Sequence, residues 1–177
     1  MALSPCYDRP VRVLTLFFSR RQADYATVQA DVNKIQVDVA NLYTSLKNTQ
    51  GTSYNEAIAI DKAARALNSD LQTANTDASA TASVTTSQGQ AILNTLSATY
   101  NNVSLVSQRL IALEPNFKKI GIAGIAKNDI NTIANSTKVF GATLVSKAPS
   151  TLKASASTLL GKYNSALASA SAAYARD

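Results

Sequence analysis

The chain has no histidine and no tryptophan, and its one cysteine is Cys6. Without histidine there is no Ser-His-Asp or Cys-His nucleophile system, and the side chains that zinc prefers are missing. The six glycines are isolated or, at Gly121 and Gly124, three apart, so no glycine-rich phosphate loop is present. Four prolines occur, none between Pro10 and Pro115, which leaves room for long uninterrupted helices. No run approaches the roughly 18–20 apolar residues of a membrane-spanning helix. The sequence therefore predicts a non-enzymatic protein with no catalytic residues, no cofactor, no metal site and no transmembrane segment.

Large rings are also scarce. Aromatics make up 6% of the 177 residues, whereas thirty of the residues counted as hydrophobic are alanine. That composition favours slender helices packed closely over a core built on rings.

The net charge of +6 is unevenly distributed. Residues 1–21 hold four arginines against Asp8, which gives +3. Residues 22–114 hold five basic and eight acidic side chains, or −3, and residues 115–177 hold eight basic and two acidic, or +6. Apart from Lys118-Lys119 the lysines stand singly, without the dense basic patch and stacking aromatics of a nucleic-acid binder. Nucleic acid is not an expected partner.

Periodicity is the strongest positive signal. Val28, Val32, Ile35, Val39, Leu42 and Leu46 alternate in steps of four and three, which predicts a helix over about 23–49. A second stripe runs through Ala57, Ile60, Ala64, Leu67, Leu71, Ala74 and Ala78, opened by the capping-box pattern Ser53-x-x-Glu56. The Ser/Thr-dense stretch from Thr73 to Ser87 reads as a loop into which this helix dissolves. A third stripe holds Ile92, Leu96, Val103, Val106, Leu110 and Leu113, with Thr99 at the missing step, and Pro115 ends that helix or starts the next. Around Gly121 and Gly124 the pattern predicts a short helix and a kink. Further stripes run from Ala126 to Leu144 and from Leu152 to Tyr174. The fold class is all-α: an up-and-down bundle of four long helices plus a short one, stable as a monomer without a disulfide.

Two polar patterns invite functional readings. Asp24, Asp31 and Asp38 recur every seven residues along one side of the first helix, and the pattern predicts a solvated face in preference to a paired-acid or calcium site. Two glycosylation sequons begin at Asn102 and Asn135. With fourteen asparagines and abundant Ser/Thr, about three would arise by chance. Val103 belongs to a buried stripe, which makes Asn102 the less accessible of the two.

The stretches VQADVNKIQVDVANLYTSL (Val28 to Leu46) and FGATLVSKAPSTLKASASTLLGKYNSALASASAAY (Phe140 to Tyr174) resemble the fungal hydrophobic surface-binding protein A and cell-wall galactomannoprotein family. The resemblance covers nearly all of residues 22–177. It implies a secreted or cell-wall helical bundle that adsorbs to hydrophobic surfaces or holds a fatty acid, and that recruits a secreted hydrolase to waxy substrates. It also implies a signal and short propeptide ending in a dibasic pair, here Arg20-Arg21. On that reading residues 1–21 are a leader outside the fold, and 22–177 form one helical bundle domain. The leader departs from the pattern, since the apolar part of Val11 to Phe18 is only about six residues, shorter than a normal signal core.

Stripes that alternate Ala with Leu or Ile either close tightly or leave an apolar gap between helices, and periodicity leaves both open. If a gap exists, its candidate lining is Val39, Leu42, Leu67, Leu71, Leu96, Val103, Ile133, Phe140, Leu160, Tyr163 and Leu167. The Tyr163 hydroxyl is the expected polar handle for a carboxylate. Two other classes remain: a helical interaction module that docks partner helices, and a phasin-like amphipathic protein that coats granules.

Overall fold

The computed structural model describes residues 24–176. The expected leader 1–21, with the Arg20-Arg21 pair, lies outside the described residues. Five helices follow one another: α1 (Tyr25–Asn48), α2 (Tyr54–Ala80), α3 (Thr86–Lys119), α4 (Ala123–Lys147) and α5 (Ser150–Ala173). The starts of the first three are chemically marked. Asp24 accepts from the Thr27 amide at 2.9 Å, Ser53 accepts from Glu56, and Thr85 and Gln88 form a reciprocal capping box. Each satisfies first-turn amides that would otherwise lack partners.

The all-α up-and-down architecture is as expected, but all five helices are long and no short helix appears among the described residues. Instead of dissolving at Thr73, α2 continues to Ala80. Its hydroxyls fold back onto the helix: Thr73, Thr76 and Ser79 donate to the carbonyls of Ser69, Gln72 and Asn75. Ala74 and Ala78 meanwhile keep the inward stripe going. Pro115 neither ends α3 nor starts a new helix. It lies on the exposed side, as does Ile111, whose carbonyl loses its intrahelical donor. The helix stops at Gly121 (φ +77°). There the Ile122 amide donates to the Phe117 carbonyl and the Gly121 amide to Lys118, a Schellman ending that needs a left-handed residue.

The helices form a closed ring in the order α1–α2–α4–α5–α3. Cross-helix hydrogen bonds set the register. Gln29 and Leu46 of α1 meet Thr95 and Arg109 of α3, so those helices run parallel. Likewise Asn68 and Asn75 of α2 meet Ser136 and Thr143 of α4. One end of the ring carries the connections 49–53 and 120–122, and the other carries 81–85 and 148–149.

The first end is packed shut. Leu46, Leu113, Phe117 and Tyr174 are almost wholly buried there, and the Tyr174 hydroxyl donates to the Leu110 carbonyl at 2.8 Å. Arg109 donates to the carbonyls of Leu46 and Thr49, and Asn116 to that of Gln50. Thus α3 satisfies carbonyls in the last turn of α1 and in the connection that follows it.

The aspartate stripe of α1 is not a solvated face. Asp24 is the N-cap, while Asp31 and Asp38 are half-buried against Asp77 and Asp70 of α2. One oxygen of each is buried with no donor in hydrogen-bonding geometry, and Lys34 reaches Asp38 only at 3.5 Å while binding Asp70 directly. A similar pair, Asp61 and Asp129, joins α2 to α4 beside Arg65. Burial, then the neighbouring carboxylate, pushes Asp31, Asp38 and Asp129 up to about 6. A proton on one member of each pair supplies the missing donor.

These carboxyls are raised above the unfolded value of about 3.9, so the native state holds more protons between about pH 4 and 6. Their stabilisation is complete below that window and is lost as pH rises through about 6. Asp70, held low by its bond to Asp38 and by Lys34, acts in the opposite sense only below it. The thermal midpoint followed by circular dichroism should be higher at pH 5 than at pH 7.5. Asp31→Asn should raise the midpoint at pH 7.5 and flatten the dependence. A midpoint that falls between pH 7.5 and 5 would contradict the protonated pairs.

Candidate functional site

A ring in which each helix packs on two neighbours must fill its axis with side chains alone. With helix axes 8–10 Å apart, a five-membered ring sets each axis about 7–8.5 Å from the centre. At that distance the axis is filled only where several of the largest side chains converge on it. At the closed end the large side chains meet. Elsewhere they do not, and an apolar cavity runs along the axis among all five helices.

The space open to the centre of a water-sized sphere is about 140 Å³, roughly ten times the ~10–15 Å³ that one water needs. The whole unfilled volume, which continues into solvent, is about 1400 Å³. The lining on α3 runs from Gly89 to Leu110, a length of about 30 Å at 1.5 Å per residue. Leu96, Leu144, Leu159 and Leu160 line the cavity and yet are only half-buried, because the neighbours that would cover them in a filled core are absent. Its aliphatic walls give water few hydrogen-bond partners, which favours an apolar guest.

All eleven residues proposed from sequence lie on this wall: Val39 and Leu42 from α1, Leu67 and Leu71 from α2, Leu96 and Val103 from α3, Ile133 and Phe140 from α4, and Leu160, Tyr163 and Leu167 from α5. Tyr163 is placed differently from a free handle. Its hydroxyl donates to the Leu96 carbonyl at 2.8 Å, its ring packs edge-on against Tyr100 at 5.5 Å, and burial pushes its ionisation upward. The hydrogen a carboxylate would want is already committed.

Sequence reasoning missed the end of the cavity near the connections 81–85 and 148–149. Thr81, Ala82, Val84, Gly89, Val145, Lys147, Ala148 and Leu152 line it there. The available signal was Val84, the one large apolar residue in a Ser/Thr-rich segment, together with Lys147-Ala148-Pro149 at the α4–α5 junction. Gly141 lets α4 and α5 approach, since a Cβ there would lie 2.3 Å from Leu160 Cδ1. Neither sequon marks the cavity directly: Asn135 is exposed on α4 and Asn102 is half-buried on α3.

Residues 25–146, from the start of α1 almost to the end of α4, match the sequence profile of hydrophobic surface binding protein A. The chain belongs to the hydrophobic surface binding protein A family. No curated protein matches it. Among solved structures, it is similar to AFMP4P in complex with palmitic acid, with 22% identity and a TM-score of 0.81 over 85% of this chain and 99% of that one. Ligand binding domain 1 of Penicillium marneffei MP1 protein, complexed with arachidonic acids, gives 14% identity and a TM-score of 0.78, covering 85% of this chain and 98% of that one. Domain 2 of the same protein gives 13% and 0.78, covering 84% and 94%. At these identities the likeness establishes the shared fold.

This family member should reveal its unfilled axis through two matched truncations. Leu46 sits in the closed end and Leu71 on the cavity wall. Leu46→Ala opens a new hole in packed core and should cost toward the upper part of the roughly 2–5 kcal/mol range. Leu71→Ala enlarges existing space and should cost toward its lower part. Urea unfolding measures both, and equal costs would mean that the axis is filled.

Proposed function

We propose that this protein binds a long-chain fatty acid in the axial cavity and performs no chemistry on it. The observation that carries the reading is the aliphatic slot of about 30 Å, walled by all five helices and closed at one end. Solved relatives of the same fold hold palmitic and arachidonic acids, which supports the choice of ligand. The wall carries no histidine or cysteine, so it offers no nucleophile–base pair of the usual kinds.

The energetics allow useful affinity. Burying an acyl chain of about sixteen carbons gains roughly 0.8 kcal/mol per CH₂, about 12 kcal/mol in all, against association costs of ~4–15 kcal/mol. A slot that is already formed keeps the protein's share of that cost small. Large apolar residues exposed to solvent are few and spread over four helices: Val37 on α1, Tyr54 and Ile58 on α2, Leu105 and Ile111 on α3, Ile125 and Val139 on α4. That distribution favours an internal guest over a helix-docking module or a granule coat.

The proposal extends to location. A hydrophobic surface binding family is consistent with work outside the cell, and the reading adds a place in the cell wall, a monomeric state, removal of residues 1–21 at Arg20-Arg21 and a secreted hydrolase as partner. Among the described residues no helix is long and apolar enough to cross a membrane. N-terminal sequencing of secreted material should begin at Gln22.

The functional test is titration of delipidated protein with a fluorescent fatty acid, beside adsorption to hydrophobic beads. Saturable uptake is expected. Leu96→Trp fills the middle of the slot with apolar volume and should weaken uptake about tenfold or more while helicity is retained. Folded wild-type protein that does not saturate would overturn the reading, and bead adsorption without saturable uptake would favour a bundle that opens at a surface.

A further inference from the structure

The cavity has a polarity that its ligand must respect. Among the residues that line it, only Lys147 carries a charge. It lies in the last turn of α4, at the end formed by the connections 81–85 and 148–149, with Val84 and Leu152 beside it on the wall. The opposite end is plugged by Leu46, Phe117 and Tyr174.

Lys147 Nζ donates to the carbonyls of Ser79 at 3.1 Å and Thr81 at 2.7 Å. An ammonium has three hydrogens, so one remains after these two bonds. Among the described residues no carboxylate lies within ion-pair distance of it. The other polar groups on the wall compete poorly. Thr81 donates its hydroxyl hydrogen to the Asp77 carbonyl, Tyr163 donates to Leu96, and Thr137 is neutral and sits deeper. A carboxylate placed deep in the slot would lose its hydration without a cation to replace it. At the Lys147 end it keeps water on one side and gains a charge-assisted hydrogen bond on the other.

We infer that Lys147 is the carboxylate anchor of the cavity, holding the fatty-acid head at the 81–85 and 148–149 end with the tail directed toward Tyr174. This rests on the fatty-acid reading above and adds to it a residue and an orientation. Lys147 lies one residue beyond the family match, which ends at 146. The two carbonyl bonds hold the ammonium at the rim before any ligand arrives, which lowers the cost of ordering a flexible side chain.

The test compares palmitic acid with methyl palmitate, which has the same tail without the charge. Each displaces Nile red, a neutral dye, from wild-type protein, Lys147→Met and Lys147→Arg. Wild type should prefer the acid by about tenfold or more, Lys147→Met should lose that preference while binding the ester as before, and Lys147→Arg should retain it. The ester is the control for folding, because Lys147 also ties α4 to the end of α2. Equal wild-type affinity for acid and ester would overturn the anchor and leave the fatty-acid reading standing. Parallel loss of both ligands in Lys147→Met would assign the residue to holding α2 alone and would also overturn it. Wild-type protein that binds neither would overturn the fatty-acid reading and the anchor with it.

Discussion

Each helix in this bundle packs firmly on only two others, and the rest of the structure depends on that constraint. A four-helix bundle brings its inward side chains within reach across the axis. A ring of five sets its helices farther from the axis, and the Leu, Ile and Val side chains that make up most of the wall leave the centre open. The hydrophobic effect still drives ring closure, since each helix buries a stripe against its neighbours. What it does not do is fill the centre. The cavity follows from the number of helices and the size of their inward residues, and needs no special loop or lid.

Stability is accordingly concentrated at one end. Tyr174, Phe117, Leu46 and Leu113 form a dense plug, and Arg109 and Asn116 tie the α1–α2 connection to α3. Along α4 beyond Phe140 and the first half of α5, inward residues are mostly half-buried. Leu152 is the only fully buried residue in the first three turns of α5. Burial is also low near Lys147 and the 81–85 connection, where Ala82 on the cavity wall is exposed to solvent. A guest enters most cheaply where the fewest native contacts must yield. The paired aspartates between α1, α2 and α4 lie on the outer seams of the ring, so acid tightens its frame without touching its interior.

Much of this was legible in the sequence, and the parts that were not share a cause. The a/d rhythm located all five stripes, and the mid-helix positions chosen as a candidate lining all face the axis. Stripes record which face is inward but not which helix lies opposite. The ring order α1–α2–α4–α5–α3 and the emptiness at its centre were therefore invisible to periodicity. The extension of α2 past Thr73 was missed because its Ser and Thr were weighed as loop formers, whereas the burial of Ala74 and Ala78 holds the helix and the hydroxyls bond to carbonyls one turn back. Asp31 and Asp38 were read as solvated because carboxylates usually are. Their partners, Asp77 and Asp70, sit on another helix, 46 and 32 positions away. Lys147 stood in plain view before Ala148-Pro149, but its place at the cavity rim depends on how α2 ends against α4.

The central claim is that an acyl chain occupies the axis of the ring and not its outside. Intermolecular nuclear Overhauser contacts between a bound fatty acid's methylene protons and the protein's methyl groups test this most directly. The structure predicts contacts to Leu42, Leu110 and Leu167 on the inner wall, and none to the exposed methyls of Val37, Ile58 and Val139. Contacts to the exposed set alone, with the inner set silent in folded protein, would contradict it.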